Sequence, residues 1–464
     1  MPLTIHMSAA TRAKHSGVQT RPILAVPEAL YYCLLLSLPF EEALRLGGVS
    51  ISKCIGLLFL MASCAQPKKF YGRCPGVLLA LLGFFCIGLI GDLVTAAKLD
   101  LRSINELGRP ILVWILVLVT YNLCLNGAMS RVLAVLATSS LGFALCICLN
   151  LDLGGSQQSD EEIKGEFGVR SSALNLDVNF SAVFVAVGGL YCLDRMLDTA
   201  KVRPIYRLLY LLGVGLGFAA MLKTGSRGGL LAFGCGLVSL SLSAPSLSKA
   251  VKVVFALAVV GGIMVAATLS NPYLVARFTS SFETQDTSGR MEVWEEAVRL
   301  AAKSPWYGFG YRTYMTPLGA ELGRSAYGTH NTFLAIPLMS GFFGSVLFLY
   351  FYAASGRAAF LCRTLRHGRI VLVWFVLAAI AAMSLNMDAM KWFWIVLALP
   401  GAVDKVCRNP GAGLPSGIGG AQPQSSQRVV ARSRRGSRAL QAIPRSLAVA
   451  KANSSGDRQR HPTL

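Results

Sequence analysis

Apolar stretches separated by polar loops recur from residue 23 to residue 403. Their lengths suit α-helices that cross the roughly 30 Å hydrocarbon core of a bilayer. The pattern therefore predicts an all-α, polytopic membrane helix bundle of about twelve spans. The spans are expected at 23–40, 49–65, 76–96, 110–126, 131–150, 179–193, 208–222, 228–243, 253–269, 331–353, 370–386 and 389–403.

The composition of the loops predicts the orientation of this bundle. Short loops rich in Lys and Arg alternate with two long polar stretches of mixed charge, 152–177 and 270–330. By the positive-inside rule the basic loops face the cytoplasm, and an even number of spans places both termini there. We expect a cytoplasmic N-terminal tail, nine spans, a large periplasmic loop containing helices, three further spans and a cytoplasmic tail. Their boundaries are 1–22, 23–269, 270–330, 331–403 and 404–464.

The sequence predicts one amphipathic helix inside the periplasmic loop, over residues 291–303. Its apolar residues Met291, Trp294, Val298 and Ala301 are expected on one face. Such a helix would lie along the outer membrane surface or cap a cavity, and a packed lid without chemistry is an equal alternative.

Composition and charge narrow the class of protein. Charged residues make up 14% of the chain and hydrophobic ones 54%, which excludes an ordinary soluble domain. The formal net charge of +21 could indicate a protein that binds nucleic acid. However, about half of this excess lies in one tail, because residues 405–464 hold eleven Lys or Arg and one acidic residue. This tail has no hydrophobic period, so we expect it to be disordered and to face anionic membrane lipids, not nucleic acid. The twelve cysteines lack zinc-ribbon spacing and are interpreted as small packing residues, so no metal site is expected.

Two arginine motifs lie on the predicted outer side. In Thr224-Gly225-Ser226-Arg227-Gly228-Gly229, Arg227 sits at the boundary of two spans, where its guanidinium matches phosphate oxygens in two bonds. The alternative is an arginine that only reaches towards lipid headgroups. In Ser288-Gly289-Arg290, the arginine precedes the amphipathic helix, so a helix N-terminus and a cation together favour an anion site.

His330 is the one histidine predicted outside, and His330-Asn331 directly precedes a span. An imidazole accepts a proton from a hydroxyl near neutral pH. The alternative is a helix cap formed by Asn331 or His330. The stretch Arg170–Asn179 before another span also carries candidate site residues at its two ends.

Four of these motifs, in this order, resemble the O-antigen ligase and O-antigen polymerase superfamily of bacterial integral membrane glycosyltransferases. They are TGSRGG, SGR before a Trp-bearing helix, PWYGFGYRTY, and HNTFLAIPLMSGFFG at the next span. The resemblance is strongest over residues 160–350. In place of the family's Arg-x-x-Gly and Pro-Asn, this chain has Ser172-Ala173 after Arg170 and Val178 before Asn179.

The resemblance implies a glycan donor on undecaprenyl diphosphate and transfer outside the bacterial inner membrane, without a cofactor. Arg227 and Arg290 would hold the diphosphate and His330 would orient or deprotonate the acceptor hydroxyl; Arg170, Asn179 and Asn331 are further candidates. The acceptor would be a glycan or the lipid A-core of lipopolysaccharide.

Other functions remain open at this point. A repeat-unit polymerase and a protein O-oligosaccharyltransferase share the layout and differ in acceptor. A transporter of polysaccharide or lipid would place ionisable residues near the middle of the membrane, and Asp92 in the third span is the clearest such residue.

Overall fold

The computed structural model describes residues 25–41, 45–46, 49–95, 101–151, 177–198, 203–244, 290–365 and 367–408, with isolated positions between 251 and 279. All described residues belong to the first of two units, Met1–Gly413, and none belongs to the second, Leu414–Leu464. The helices in chain order are α1 Val26–Ser37, α2 Ile51–Ser63, α3 Pro67–Tyr71, α4 Gly76–Thr95, α5 Leu101–Leu123, α6 Met129–Cys148, α7 Val178–Leu197, α8 Pro204–Thr224, α9 Arg227–Leu242, α10 Arg290–Ala302, α11 Met315–Glu321, α12 Thr332–Leu361, α13 Gly368–Ala382 and α14 Lys391–Arg408.

The all-α fold class is confirmed. Extended structure in the described part of the chain is one antiparallel ladder of two-residue strands, β1 Arg45–Leu46 and β2 Val49–Ser50. A helix occupies the position of every predicted span except 253–269, which lies largely outside the described residues. The total of twelve spans stays a prediction.

Five described segments are long and apolar enough to cross a membrane. They are Gly76–Thr95, Gly108–Cys148, Val178–Leu197, Pro204–Thr224 and Thr332–Leu361. The second contains most of α5 and all of α6, joined by a π-helical turn in which Gly127 has a φ of 87°. Shorter apolar helices accompany these segments, namely Val26–Phe40, Ile51–Ser63, Arg227–Leu242 and Gly368–Ala382.

Aromatic side chains pack where α4, α12 and α14 meet. The ring centroids of Phe85 and Trp394 are 5.0 Å apart, and those of Phe84 and Phe348 are 5.6 Å apart. Because lipid is as apolar as these side chains, close van der Waals packing holds membrane helices together. All twelve cysteines are free thiols.

Helix α12 is broken near its middle, and a loop fills the break. Gly341 adopts φ 59° and ψ −157°, a conformation that is almost confined to glycine. The carbonyls of Leu338 and Met339 accept hydrogen bonds from the backbone N–H groups of Phe309 (2.7 Å) and Gly310 (3.1 Å). The loop thereby satisfies backbone groups that the break exposes, as the apolar interior requires.

The amphipathic helix is present as α10, but the face that packs against protein is not the one formed by Met291, Trp294, Val298 and Ala301. The buried residues are Val293, Ala297 and Leu300, whereas Met291 and Val298 are each 57% exposed. The helix carries two apolar stripes, and periodicity alone does not tell which one faces protein. Packing against α12 selects the stripe at positions i, i+4 and i+7.

Candidate functional site

The first turns of α7 and α9 are joined by one hydrogen bond. Asp177 caps α7 by accepting from the backbone N–H of Asn179 at 2.7 Å, and Ser226 caps α9 by accepting from Gly229 at 3.1 Å. The Ser226 hydroxyl also donates to the side-chain oxygen of Asn179 at 2.8 Å. Such caps satisfy the orphan donors of a helix N-terminus. Asn179 and Arg227 therefore lie at adjacent helix starts.

The glycines of the TGSRGG motif make a tight turn between α8 and α9. Gly225 ends α8 in the left-handed conformation, at φ 59°, which glycine adopts without steric cost. A Cβ on Gly229 would lie 2.3 Å from the Cβ of Ala182, so only glycine allows this approach to α7. The turn makes Arg227 the first residue of α9, where it is half-buried.

The histidine and asparagine before α12 have separate roles. Asn331 is the helix cap, because its side-chain oxygen accepts from the N–H groups of Phe333 (3.0 Å) and Leu334 (3.3 Å). His330 is half-buried, has a φ of 49°, and places its ring edge-on to Tyr327 with 5.4 Å between centroids. A non-glycine residue in this region carries local strain, which is often found at functional sites.

Residues on both sides of His330 are fixed by long-range hydrogen bonds. The indole N–H of Trp294 on α10 donates to the carbonyl of Thr329 at 3.0 Å. The backbone N–H and hydroxyl of Thr332 both donate to the carbonyl of Leu385, at 3.1 and 2.7 Å. A Cβ on Gly228 would lie 3.3 Å from the Ser384 hydroxyl oxygen. The loop after α13 thus links the start of α9 to the start of α12.

Arg290 lies close enough to His330 for its charge to act on the imidazole. Burial lowers the pKa of His330 below 6.5, the positive charge of Arg290 lowers it further, and the negative charge of Asp177 opposes both effects. The imidazole is therefore neutral at pH 7 and able to accept a proton. Since Asp177 caps the helix that carries Asn179, the two halves of the site adjoin.

Four helices begin at this end of the bundle, which we call the site end: α7, α9, α10 and α12. The aligned dipoles of these helices favour negative charge at their N-termini, and Arg227 and Arg290 are the first residues of two of them. The structure thus brings together Asn179, Arg227, Arg290, His330 and Asn331. Arg170 lies outside the described residues.

Sequence reasoning did not single out Asp177, Tyr327 or Thr329 as part of this region, and it gave Ser226, within the TGSRGG motif, no role of its own. An acidic or hydroxyl residue directly before an apolar run is a helix-cap signal, so Asp177 and Ser226 were recognisable as caps. Nothing in the sequence indicates the ring contact of Tyr327. Within the described residues, no three His, Cys, Asp or Glu side chains cluster as potential metal ligands.

Asp92, the residue that would favour a transporter, has a structural role. Its Oδ1 accepts hydrogen bonds from the backbone N–H groups of Arg312 (2.9 Å) and Thr313 (3.1 Å) and from the Thr313 hydroxyl (3.0 Å). The carboxylate therefore anchors the turn after the loop that fills the α12 break.

Part of the chain is similar to known O-antigen ligases. Residues 212–349 match the family model Wzy_C, O-antigen ligase, and this segment contains Arg227, Arg290 and His330. A curated relative, the O-antigen ligase of Pseudomonas aeruginosa, is 26% identical over 204 residues, covering 42% of this chain and 48% of the relative. The chain therefore aligns with about half the length of that protein. Residues 212–349 are thus similar to the O-antigen ligase family, and they lie within an apolar helical bundle.

Proposed function

We propose that this protein transfers a glycan from undecaprenyl diphosphate to an acceptor hydroxyl at the periplasmic face of the inner membrane, as an O-antigen ligase. The observation that carries the proposal is the half-buried imidazole of His330 where helix N-termini converge, with its pKa lowered by burial and by the nearby cation Arg290. A base next to a concentration of positive charge suits displacement of an anionic leaving group.

In the proposed reaction, His330 accepts the proton of the acceptor hydroxyl while that oxygen attacks the anomeric carbon of the donor sugar. The bond from that carbon to the diphosphate oxygen breaks, and the diphosphate leaves with the electron pair. Arg227 and Arg290 neutralise the charge that develops on it, each through a planar fork of N–H donors. Direct displacement inverts the configuration at the anomeric carbon.

Asn179 and Asn331 act in this scheme by fixing the geometry. Asn331 caps α12 directly after the histidine, and Asn179 accepts the hydrogen bond of the residue before Arg227. Positioning groups of this kind hold reacting atoms in line without contacting them.

The test is glycan transfer in a strain that lacks the chromosomal gene and carries variants on a plasmid. His330→Ala, Arg227→Ala and Arg290→Ala are each expected to abolish transfer while the protein still inserts at wild-type amounts. Arg227→Lys and Arg290→Lys keep the charge but not the fork, so we expect partial loss. Normal transfer in His330→Ala would refute the assignment.

Electrophoresis of the surface glycan from the same strains separates the ligase from its nearest alternative. Loss of a ligase leaves polymer on its lipid carrier, whereas loss of a repeat-unit polymerase leaves single repeats on the acceptor. The chemistry assigned to His330 and the two arginines is the same in both cases.

A further inference from the structure

A deep groove lies at the end of the bundle opposite to His330. Helices α12 and α14 begin at the site end and finish here, and the groove runs between their last turns and the start of α4. Its volume is about 830 Å³, within the range of roughly 300–1,000 Å³ usual for ligand pockets. The groove is too far from His330 to belong to the candidate site, since about 20 helical residues at 1.5 Å each separate their levels.

The mouth of the groove is strongly basic. It is lined by Arg73, Arg357, Lys405 and Arg408, and by one carboxylate, Asp404. Arg408 donates to Asp404 at 2.8 Å, so these two charges offset each other. In the described part of the chain, no carboxylate forms an ion pair with the other three cations. Three positive charges therefore face one opening.

The loop that carries Arg73 is built into the fold. The side chain of Asn122 on α5 accepts from the backbone N–H of Arg73 and donates to its carbonyl, both at 2.9 Å. One side-chain amide bonded to both the N–H and the carbonyl of a residue holds that backbone in place, as a neighbouring β-strand does. The cation at the groove mouth is thus set in place by the bundle.

The walls of the groove are apolar and continue onto a lipid-facing surface. Leu78, Phe351, Ala354 and Ala398 line the interior. Leu361 on the rim is 49% exposed and belongs to the outward face of α12. In a bilayer this face contacts acyl chains, so a chain lying on it has direct access to the groove.

We propose that this groove binds one anionic phospholipid. Its phosphate lies between Arg73, Arg357 and Lys405, and one acyl chain lies against the apolar walls of α12 and α14. Basic pockets between membrane helices are suited to anionic headgroups, and guanidinium groups to phosphate oxygens. The chain after Arg408 carries nine Lys or Arg and one acidic residue, so charge complementarity favours an anionic lipid as the occupant over this segment.

Native mass spectrometry of the full-length protein in detergent tests the proposal, with dioleoyl phosphatidylglycerol and dioleoyl phosphatidylcholine as probes. We expect one tight phosphatidylglycerol adduct, favoured over phosphatidylcholine by roughly tenfold or more. The triple variant Arg73→Ala, Arg357→Ala, Lys405→Ala should lose this preference. Equal binding of the two lipids by the wild-type protein would overturn the proposal.

Two further variants separate a groove from general surface charge. The triple variant Lys68→Ala, Arg203→Ala, Arg363→Ala removes three cations at the same end of the bundle but outside the groove, and should keep the adduct. Ala354→Trp fills the apolar wall without changing charge and should remove it. Loss in the Lys68 triple variant, or retention in Ala354→Trp, would contradict the assignment.

A phosphate competition identifies the source of the bound anion. Inorganic phosphate at millimolar concentration should not displace phosphatidylglycerol, because the acyl chain contributes to binding. Displacement would mean that the basic mouth binds free phosphate and that the lipid assignment is wrong.

Discussion

The hydroxyl of Ser226 joins two helices, because it donates to the side-chain oxygen of Asn179 at 2.8 Å while it accepts from the N–H of Gly229 at 3.1 Å. One oxygen therefore caps α9 and ties it to the first turn of α7. Arg227 is the next residue, so the position of this guanidinium depends on both helices.

Replacing Ser226 by Ala is expected to destabilise the protein by about 1–2 kcal/mol, because it removes a helix cap and leaves Asn179 without its donor. Glycan transfer should fall as Arg227 loses its fixed position. Thermal unfolding in detergent and a transfer assay are the measurements. Ser241→Ala in the same helix removes only a hydroxyl that donates to the carbonyl of Leu237, and should change stability by less than about 0.5 kcal/mol.

The pH dependence of transfer should report His330. A base is active when deprotonated, so the rate falls as pH drops through its pKa. Burial and Arg290 lower that pKa below 6.5, and we expect the midpoint of the acid limb of kcat/KM below pH 6.5. A midpoint above pH 7 would exclude His330 as the base. The free energy of unfolding depends on pH in the same direction, because His330 binds a proton more readily in the unfolded chain than in the folded protein. The contribution of His330 to stability is complete above pH 6.5 and is lost as pH falls towards the lower pKa of the folded state.

Two substitutions should move that acid limb in opposite directions. Arg290→Gln removes a positive charge that lowers the pKa of His330, so the limb should shift to higher pH. Asp177→Asn removes the opposing negative charge while asparagine still caps a helix, so the limb should shift to lower pH. The measurement is the kcat/KM profile of each variant. Shifts of the same sign in both would show that the pair does not act on His330 through its charge.

Asp92 should prove to be a structural residue. Asp92→Ala removes the acceptor of three hydrogen bonds, so we expect destabilisation on the order of 2–3 kcal/mol. Asp92→Asn keeps one oxygen acceptor and should retain most of the stability and transfer. Thermal unfolding and transfer would be measured together. If Asp92→Asn is fully stable yet inactive while His330→Ala is active, transport is the better description of this protein.

Gly341→Ala should destabilise the break in α12 by roughly 1–3 kcal/mol, because alanine disfavours this conformation. A Cβ there would also lie 2.3 Å from the carbonyl oxygen of Trp306. Thermal unfolding checks the loss, with Gly215→Ala as the matched control. Gly215 lies within α8 and a Cβ on it meets nothing within 4 Å, so alanine should be neutral or stabilising by up to about 1 kcal/mol. Equal stability of the two variants would show that the break tolerates a side chain.

The sequence predicts helix positions well because membrane spans follow from hydropathy and length alone. Arg227 and His330 stand beside predicted span boundaries and Arg290 beside the predicted amphipathic helix, and all three lie at helix starts in the structure. The buried face of α10 was not predictable, because Val293 and Val298 lie on different stripes of similar apolarity and only tertiary packing distinguishes them. The break in α12 depends on a loop more than 25 residues earlier in the chain, and no local pattern encodes such a contact.

The loop that fills the break in α12 also limits how the site can open. Its backbone is bonded to Leu338 and Met339 on one side, and the turn after it is bonded to Asp92 on the other. The C-terminal end of α10 is therefore tethered to two spans at once, and Trp294 adds a third tie to Thr329. Helix α10 therefore cannot move independently of α4 and α12 unless these hydrogen bonds break.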